Sequence, residues 1–126
     1  MAIPIVTFNP AAGPVTMSVE IGQLQVGSYT VTELDENAKH LREVAKGNNF
    51  DNKPDVFSLP SEGHALDKHY IHWQALIDAA DNAPEPKYDI TVSFTQSGNN
   101  LIDPIVRRGK LEGTRVQIGV VRFAAT

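Results

Sequence analysis

Three histidines, His64, His69 and His72, fall within nine residues, and Asp67 stands among them. Imidazole and carboxylate both ligate metals, and three such ligands with a bound water make a hydrolytic zinc centre. On a helix, His69 and His72 share a face; on a strand they point to opposite faces and the cluster comes apart. Neither the His-Glu-x-x-His order nor another ordered ligand motif is present. The reading that follows is a small metal-dependent hydrolase using His64, His69 and His72. It is held here as the alternative to a protein that does no chemistry.

A second group is the oxygen-rich run Asn48, Asn49, Asp51, Asn52 and Asp55. Calcium takes six to eight oxygens, so such a run has the right donors. It lacks the turn glycine and closing glutamate of an EF-hand, and Asn and Asp also crowd loops for turn reasons alone. No metal is assigned. Cysteine is absent, which removes thiolate metal sites, thiol nucleophiles and disulfides. No Gly-x-Ser-x-Gly elbow and no glycine-rich phosphate loop occur. No catalytic residue and no cofactor are therefore assigned.

The third group is a recognition surface. Tyr70, His72 and Trp73 supply amphipathic rings, and Gln96, Asn99 and Asn100 supply amides where a strand ends. Rings beside amide donors hold sugars or peptide edges. The competing reading of Trp73 is core, since the lone tryptophan of a small domain is usually buried. These six residues are the expected ligand contacts of a non-catalytic binding or assembly module. Its expected partner is a second copy, another protein or a glycan.

The elements that position these groups read mainly as strands. In Lys87–Gln96, Tyr88, Ile90, Val92 and Phe94 alternate with Asp89, Thr91, Ser93 and Thr95. That is the period of a strand with one dry face. Val15 to Ile21 alternates likewise, and Gly22-Gln23 reads as a tight turn into Leu24 to Glu33, giving an antiparallel hairpin with a bulge at Gly27. Ile3 to Phe8 carries apolar residues on both faces, and Pro4 suits an edge. Val56 to Leu59 and Thr114 to Phe123 add strands, with Gly119 a bulge or point of close approach, and Arg107 to Lys110 reads as an exposed turn. Asp35 to Gly47 breaks the pattern: Ala38, Leu41, Val44 and Ala45 fall at helical spacing, predicting a short helix over 36–46.

Residues 65–82 fit two templates. As a helix, Leu66, Tyr70, Trp73, Ile77 and Ala80 form one stripe. As a strand, Ile71, Trp73, Ala75 and Ile77 alternate with Tyr70, His72, Gln74 and Asp78. The β-prone run at Tyr70 to Trp73 and the strands read on both sides of it favour the strand over Tyr70 to Ile77, hairpinned to Lys87–Gln96. The expected fold is a single domain over 1–126: an antiparallel β-sandwich, jelly-roll-like, with one short helix. The alternative is α+β with a longer helix at 65–82.

The net charge is −4. Residues 1–100 hold 6 basic and 13 acidic side chains, whereas residues 101–126 hold 5 and 2. A nucleic-acid protein would carry a larger basic excess with aromatic residues interleaved, so nucleic acid is not expected as a partner. The asymmetry suits contact between copies, and a homo-oligomer is expected. No apolar run is long enough to cross a bilayer as a helix, so no membrane partner is expected. The stretch MAIPIVTFNPAAG lacks the basic start and apolar run of a signal peptide, and compartment is left unassigned.

Overall fold

The computed structural model describes residues 3–22, 25–48, 53–79, 87–110 and 114–126. Alternation of apolar and polar side chains becomes strand at β1 (Ile5–Phe8), β2 (Thr16–Ile21), β3 (Gln25–Leu34), β4 (His40–Asn48), β5 (Asp55–Ser58), β6 (Tyr70–Ala79), β7 (Lys87–Gln96), β8 (Asn99–Asn100), β9 (Ile105–Lys110) and β10 (Arg115–Ala125). The fold is mainly β, in two sheets. One has the order β1-β10-β6-β3-β4, and the other runs β5-β2-β7 with β8 and β9 both paired to β7. All pairings are antiparallel except β1 with β10.

The dry faces of the two sheets share one core. Tyr88, Ile90, Val92 and Phe94 of β7 are buried, as are Ile71, Trp73, Ala75 and Ile77 of β6. Each such side chain contributes about 1.5–3 kcal/mol on leaving water. Phe94 lies in one sheet, while Phe8, Trp73 and Phe123 lie in the other. Its ring meets Phe123 edge-on at 5.5 Å and Trp73 at 6.2 Å, and Phe8 meets Phe123 at 5.9 Å. The two contacts of Phe94 join the sheets.

Both expected hairpins are corrected, for one reason. β2 pairs with β5 and β7, while β3 pairs with β4 and β6. Likewise β6 pairs with β3 and β10, and β7 with β2, β8 and β9. In both cases the two consecutive strands lie in opposite sheets instead of side by side. Two strands with one greasy face each can bury those faces against each other by stacking, which edge pairing alone does not achieve. Gly27 is not a bulge: β3 and β6 stay in register from Gln25 to Leu34. It makes room for Ile21, whose side chain would come within 2.8 Å of a Cβ there. Gln23 of the expected turn, Leu24 that begins the expected second strand, and the linker over 80–86 lie outside the described residues.

The helix expected over 36–46 is absent. Asp35 starts a turn instead, accepting the Asn37 and Lys39 N–H groups on Oδ1, and Ala38 takes a positive φ of 61°. β4 then runs back beside β3 and covers what would be an open edge. An acidic cap followed by apolar residues at helical spacing also suits a turn followed by a strand, and tertiary pairing decides. Arg107 to Lys110 is strand β9, not a turn. In β1, Val6 and Phe8 are buried while Ile5 faces outward, so only one face is dry. The strand reading of Tyr70 to Ile77 holds, and the helical remainder near it is one 3₁₀ turn at Gly63–Leu66. No helix among the described residues is long and apolar enough to cross a membrane.

Candidate functional site

The six expected ligand contacts do not form one surface. Tyr70 and His72 point to the outer face of β6, and Trp73 points into the core at 4 % exposure. Arg122 of β10 stacks over the Tyr70 ring, 5.4 Å from its centroid. Gln96 is buried and fully employed. Its Oε1 accepts the Asn9 N–H at 3.0 Å, and its Nε2 donates to the Asn9 and Gly13 carbonyls at 2.7 and 2.9 Å. That side chain clamps the loop between β1 and β2. Asn99 and Asn100 form the exposed strand β8, with Asn99 Nδ2 donating to the Ser97 carbonyl.

The histidines also part company. His64 lies in the 3₁₀ turn, His72 on the outer face of β6, and His69 just before β6. Among the described residues, no three His, Asp or Glu side chains converge as metal ligands would. Asn49, Asp51 and Asn52 of the second expected group lie outside the described residues. Asp55 accepts the Tyr29 hydroxyl at 2.7 Å.

His69 belongs to a polar cluster centred on Glu33. This carboxylate is completely buried, because position 33 continues the inward phase of Gly27, Tyr29 and Val31 along β3. Its Oε2 lies 2.6 Å from His69 Nδ1 and accepts the Ser61 hydroxyl at 2.7 Å. Its Oε1 is buried without a hydrogen bond, and Arg42 Nε approaches only to 3.7 Å. Serine, histidine and an acid meet here, but not as a nucleophile relay. A relay needs the serine on the far imidazole nitrogen, whereas Ser61 binds the carboxylate itself. The cluster ties the segment 61–69 to the β3–β4 hairpin. Nothing in the spacing of Glu33, Ser61 and His69 marks them as neighbours; a charged residue at an inward strand position is the one available signal. Nearby, the Lys39 backbone N–H holds the exposed Asp35 carboxyl below its ordinary value, aided by the Asn37 N–H and the Lys39 and His69 charges.

A second place is a cleft of about 440 Å³ where the two sheets gape along one side. Ile3, Pro4, Ile118 and Val120 line the β1–β10 side, Ile105 and Arg107 the β9 side, and Trp73 and Gly119 the floor. Trp73 reaches it because its register partner on β10 is Gly119, which has no side chain to cover the indole. Arg107 stands opposite buried Ile90 on β7, so it shares the inward phase of β9. Its Nη1 donates to the Val106 carbonyl at 3.1 Å, and no carboxylate among the described residues pairs with it. Of the expected contacts, only Trp73 belongs to this cleft.

No family model and no curated protein matches this chain. Among solved structures, a DUF4425 family protein from Bacteroides ovatus is similar, with a TM-score of 0.54 and 13% identity, covering 89% of this chain and 96% of that one. At that identity the likeness is one of fold.

Proposed function

We propose that this chain is a non-catalytic binding module that holds a protein partner in the cleft between β9 and β10. The observation that carries this reading is the composition of that cleft: an apolar floor and walls, with one guanidinium, Arg107, at its side that no carboxylate among the described residues pairs with. Ligand sites are of this size and make-up, mostly apolar with a few polar groups that orient the occupant. We also read the two facing sheets as a sandwich of jelly-roll type, supported by the β2–β7 and β3–β6 pairings on opposite sides of the core.

A glycan is the weaker occupant. Sugar stacking needs an open ring face, and Trp73 is 4 % exposed. The hydrolase reading is weaker again, because Glu33 employs His69 and Ser61 together and leaves neither poised on a substrate. Self-association is the second reading. Ile5, Leu76, Val116 and Ile118 are exposed on the outer face of one sheet, and apolar surface of that kind marks protein contacts. Light scattering at high concentration separates the two: a dimer or larger assembly supports self-association, and a strict monomer removes it.

Trp73 is the one tryptophan, so its emission reports occupancy of the cleft directly. A peptide library and an oligosaccharide panel titrated against the intact protein test the reading. The expected result is a changed emission with peptides that is lost in Ile105→Arg, a cleft residue whose partner on β7 is buried Val92, with the circular dichroism spectrum retained. Silence toward both sets, or a response indifferent to Ile105→Arg, overturns it.

A further inference from the structure

We infer that the partner enters the cleft as an extended acidic segment, adding a strand to the free edge of β10 and placing a carboxylate on Arg107. This rests on the cleft reading above and specifies its occupant.

The edge follows from the pairing. β6 takes one side of β10 over Arg115–Arg122, but β1 takes the other side only over Arg122–Ala125. Arg122 N–H donates to the Pro4 carbonyl on the β1 side, and Phe123 N–H donates to the His69 carbonyl on the β6 side. Backbone groups alternate sides along a strand. Val116, Ile118 and Val120 therefore present their N–H and C=O groups on the side β1 leaves open. No strand among the described residues pairs there. The span from Val116 to Val120 is about 13 Å at the ordinary strand rise, enough for a segment of about five residues. Such an edge is a template for strand addition.

The charge follows from the two strands that frame the cleft. β9 and β10 together carry Arg107, Arg108, Lys110, Arg115 and Arg122 and no acidic residue. Arg108 is paired with Asp89 at 3.1 Å on the outer face, and Arg115 lies over the Tyr88 ring, 5.1 Å from its centroid. Arg107 is the guanidinium that lines the cleft. A second copy adding its own β10 would bring two sets of these cations together, so the charge disfavours that occupant and favours an acidic one. An inward charge at an edge also discourages neutral strands, which makes dependence on the acid the discriminating observation.

The test uses three peptides on the full chain: acetyl-Thr-Val-Thr-Val-Thr-Glu-amide, its Gln counterpart, and the Glu peptide with alternate backbone nitrogens methylated. Binding is followed by Trp73 emission and calorimetry. The Glu peptide is expected to bind about tenfold more tightly than the Gln peptide, with the difference lost in Arg107→Gln and at high salt, and the methylated peptide is expected not to bind. Equal binding of the Glu and Gln peptides overturns the charge assignment while leaving the cleft reading intact. Binding that survives methylation overturns strand addition in the same way. If none of the three binds while library peptides still change Trp73 emission, this inference falls and the cleft reading stands. If no peptide of any kind does, both fall. Sedimentation that shows a dimer which the Glu peptide dissociates, but the methylated peptide does not, with the dimer tighter than the peptide, assigns the edge to a second copy and likewise overturns the inference.

Discussion

Trp73 on β6 and Gly119 on β10 stand directly opposite each other, and a Cβ at Gly119 would come within 2.2 Å of the indole ring. The same pairing recurs at Tyr29 with Gly47, where a Cβ would meet the phenol at 2.7 Å, and at Tyr88 with Gly109, where it would meet the ring at 2.6 Å. Each ring leans across the neighbouring strand into space that only a missing side chain leaves. Gly119 is thus required by space, since its backbone lies outside the positive-φ region. In the sequence Gly119 reads as a bulge or a point of close approach, and Gly109 as part of an exposed turn; the structure makes all three points of close approach.

Gly119→Ala is expected to destabilise the protein by about 1–3 kcal/mol, the usual effect of overfilling a packed site. The indole would have to tilt away, so its emission would shift in the folded state. Urea unfolding read by fluorescence and circular dichroism checks both. An unchanged midpoint with unchanged emission would show that the ring has room to spare.

The buried Glu33 carboxylate is expected to be the most sensitive polar position. Glu33→Ala strands the His69 ring nitrogen and the Ser61 hydroxyl, and should cost about 3–5 kcal/mol, as removal of one member of a buried charged group does. Ser61→Ala removes one hydrogen bond to a charged group and should cost about 1.5–3 kcal/mol. Chemical denaturation of the two variants and of the double variant gives their coupling. Additive losses would mean that the two residues act independently.

Gln96→Ala is expected to free the loop between β1 and β2, because three hydrogen bonds from one amide hold it. Loss of a buried bonded amide costs about 1–3 kcal/mol. Hydrogen exchange at the Asn9 amide should accelerate markedly while that of the β6 core amides changes little. A ligand-contacting role would instead leave exchange at Asn9 untouched.

Asp35 gives a pH dependence whose sign is fixed by geometry. Its carboxylate is stabilised by the Lys39 and Asn37 N–H groups, so its folded pKa lies below the ordinary value of 3.8. The stabilisation is fully present above the ordinary value and is lost as pH falls through the folded one. A carboxyl-detected NMR titration should place Asp35 below the ordinary value of 3.8, and Asp35→Asn should make stability less steep in that acid range. A midpoint at or above the ordinary value would show that the turn does not hold the charge.

Local alternation made much of the architecture legible. Tyr88, Ile90, Val92 and Phe94, and Met17, Val19 and Ile21, each bury one face as their spacing demands, because a period of two has a single low-energy backbone answer. The strand at Tyr70 could be chosen over a helix on residue type. Partner choice could not be read. Strand 15–21 and strand 25–34 present the same pattern whether they lie side by side or face to face, and only the fit of Ile21 over Gly27 across the core distinguishes the two. The spacing of Ala38, Leu41 and Val44 suited a helix until the Asp35 turn took Ala38 and the strand beside β3 took the other two.

The candidate sites divide the same way. Residue type pointed to Trp73 as a ring of interest and to the tail as basic, since both are properties of composition. That Trp73 floors a cleft, that Arg107 faces it, and that Gln96 and His69 are spent on internal bonds are matters of distance between residues far apart in the chain. Spacing along a strand fixes which side a residue faces; what it meets there is fixed by the strand that arrives opposite. The sequence determined the pleated elements and their dry faces, and the tertiary structure alone decided which side chains those faces would bring together.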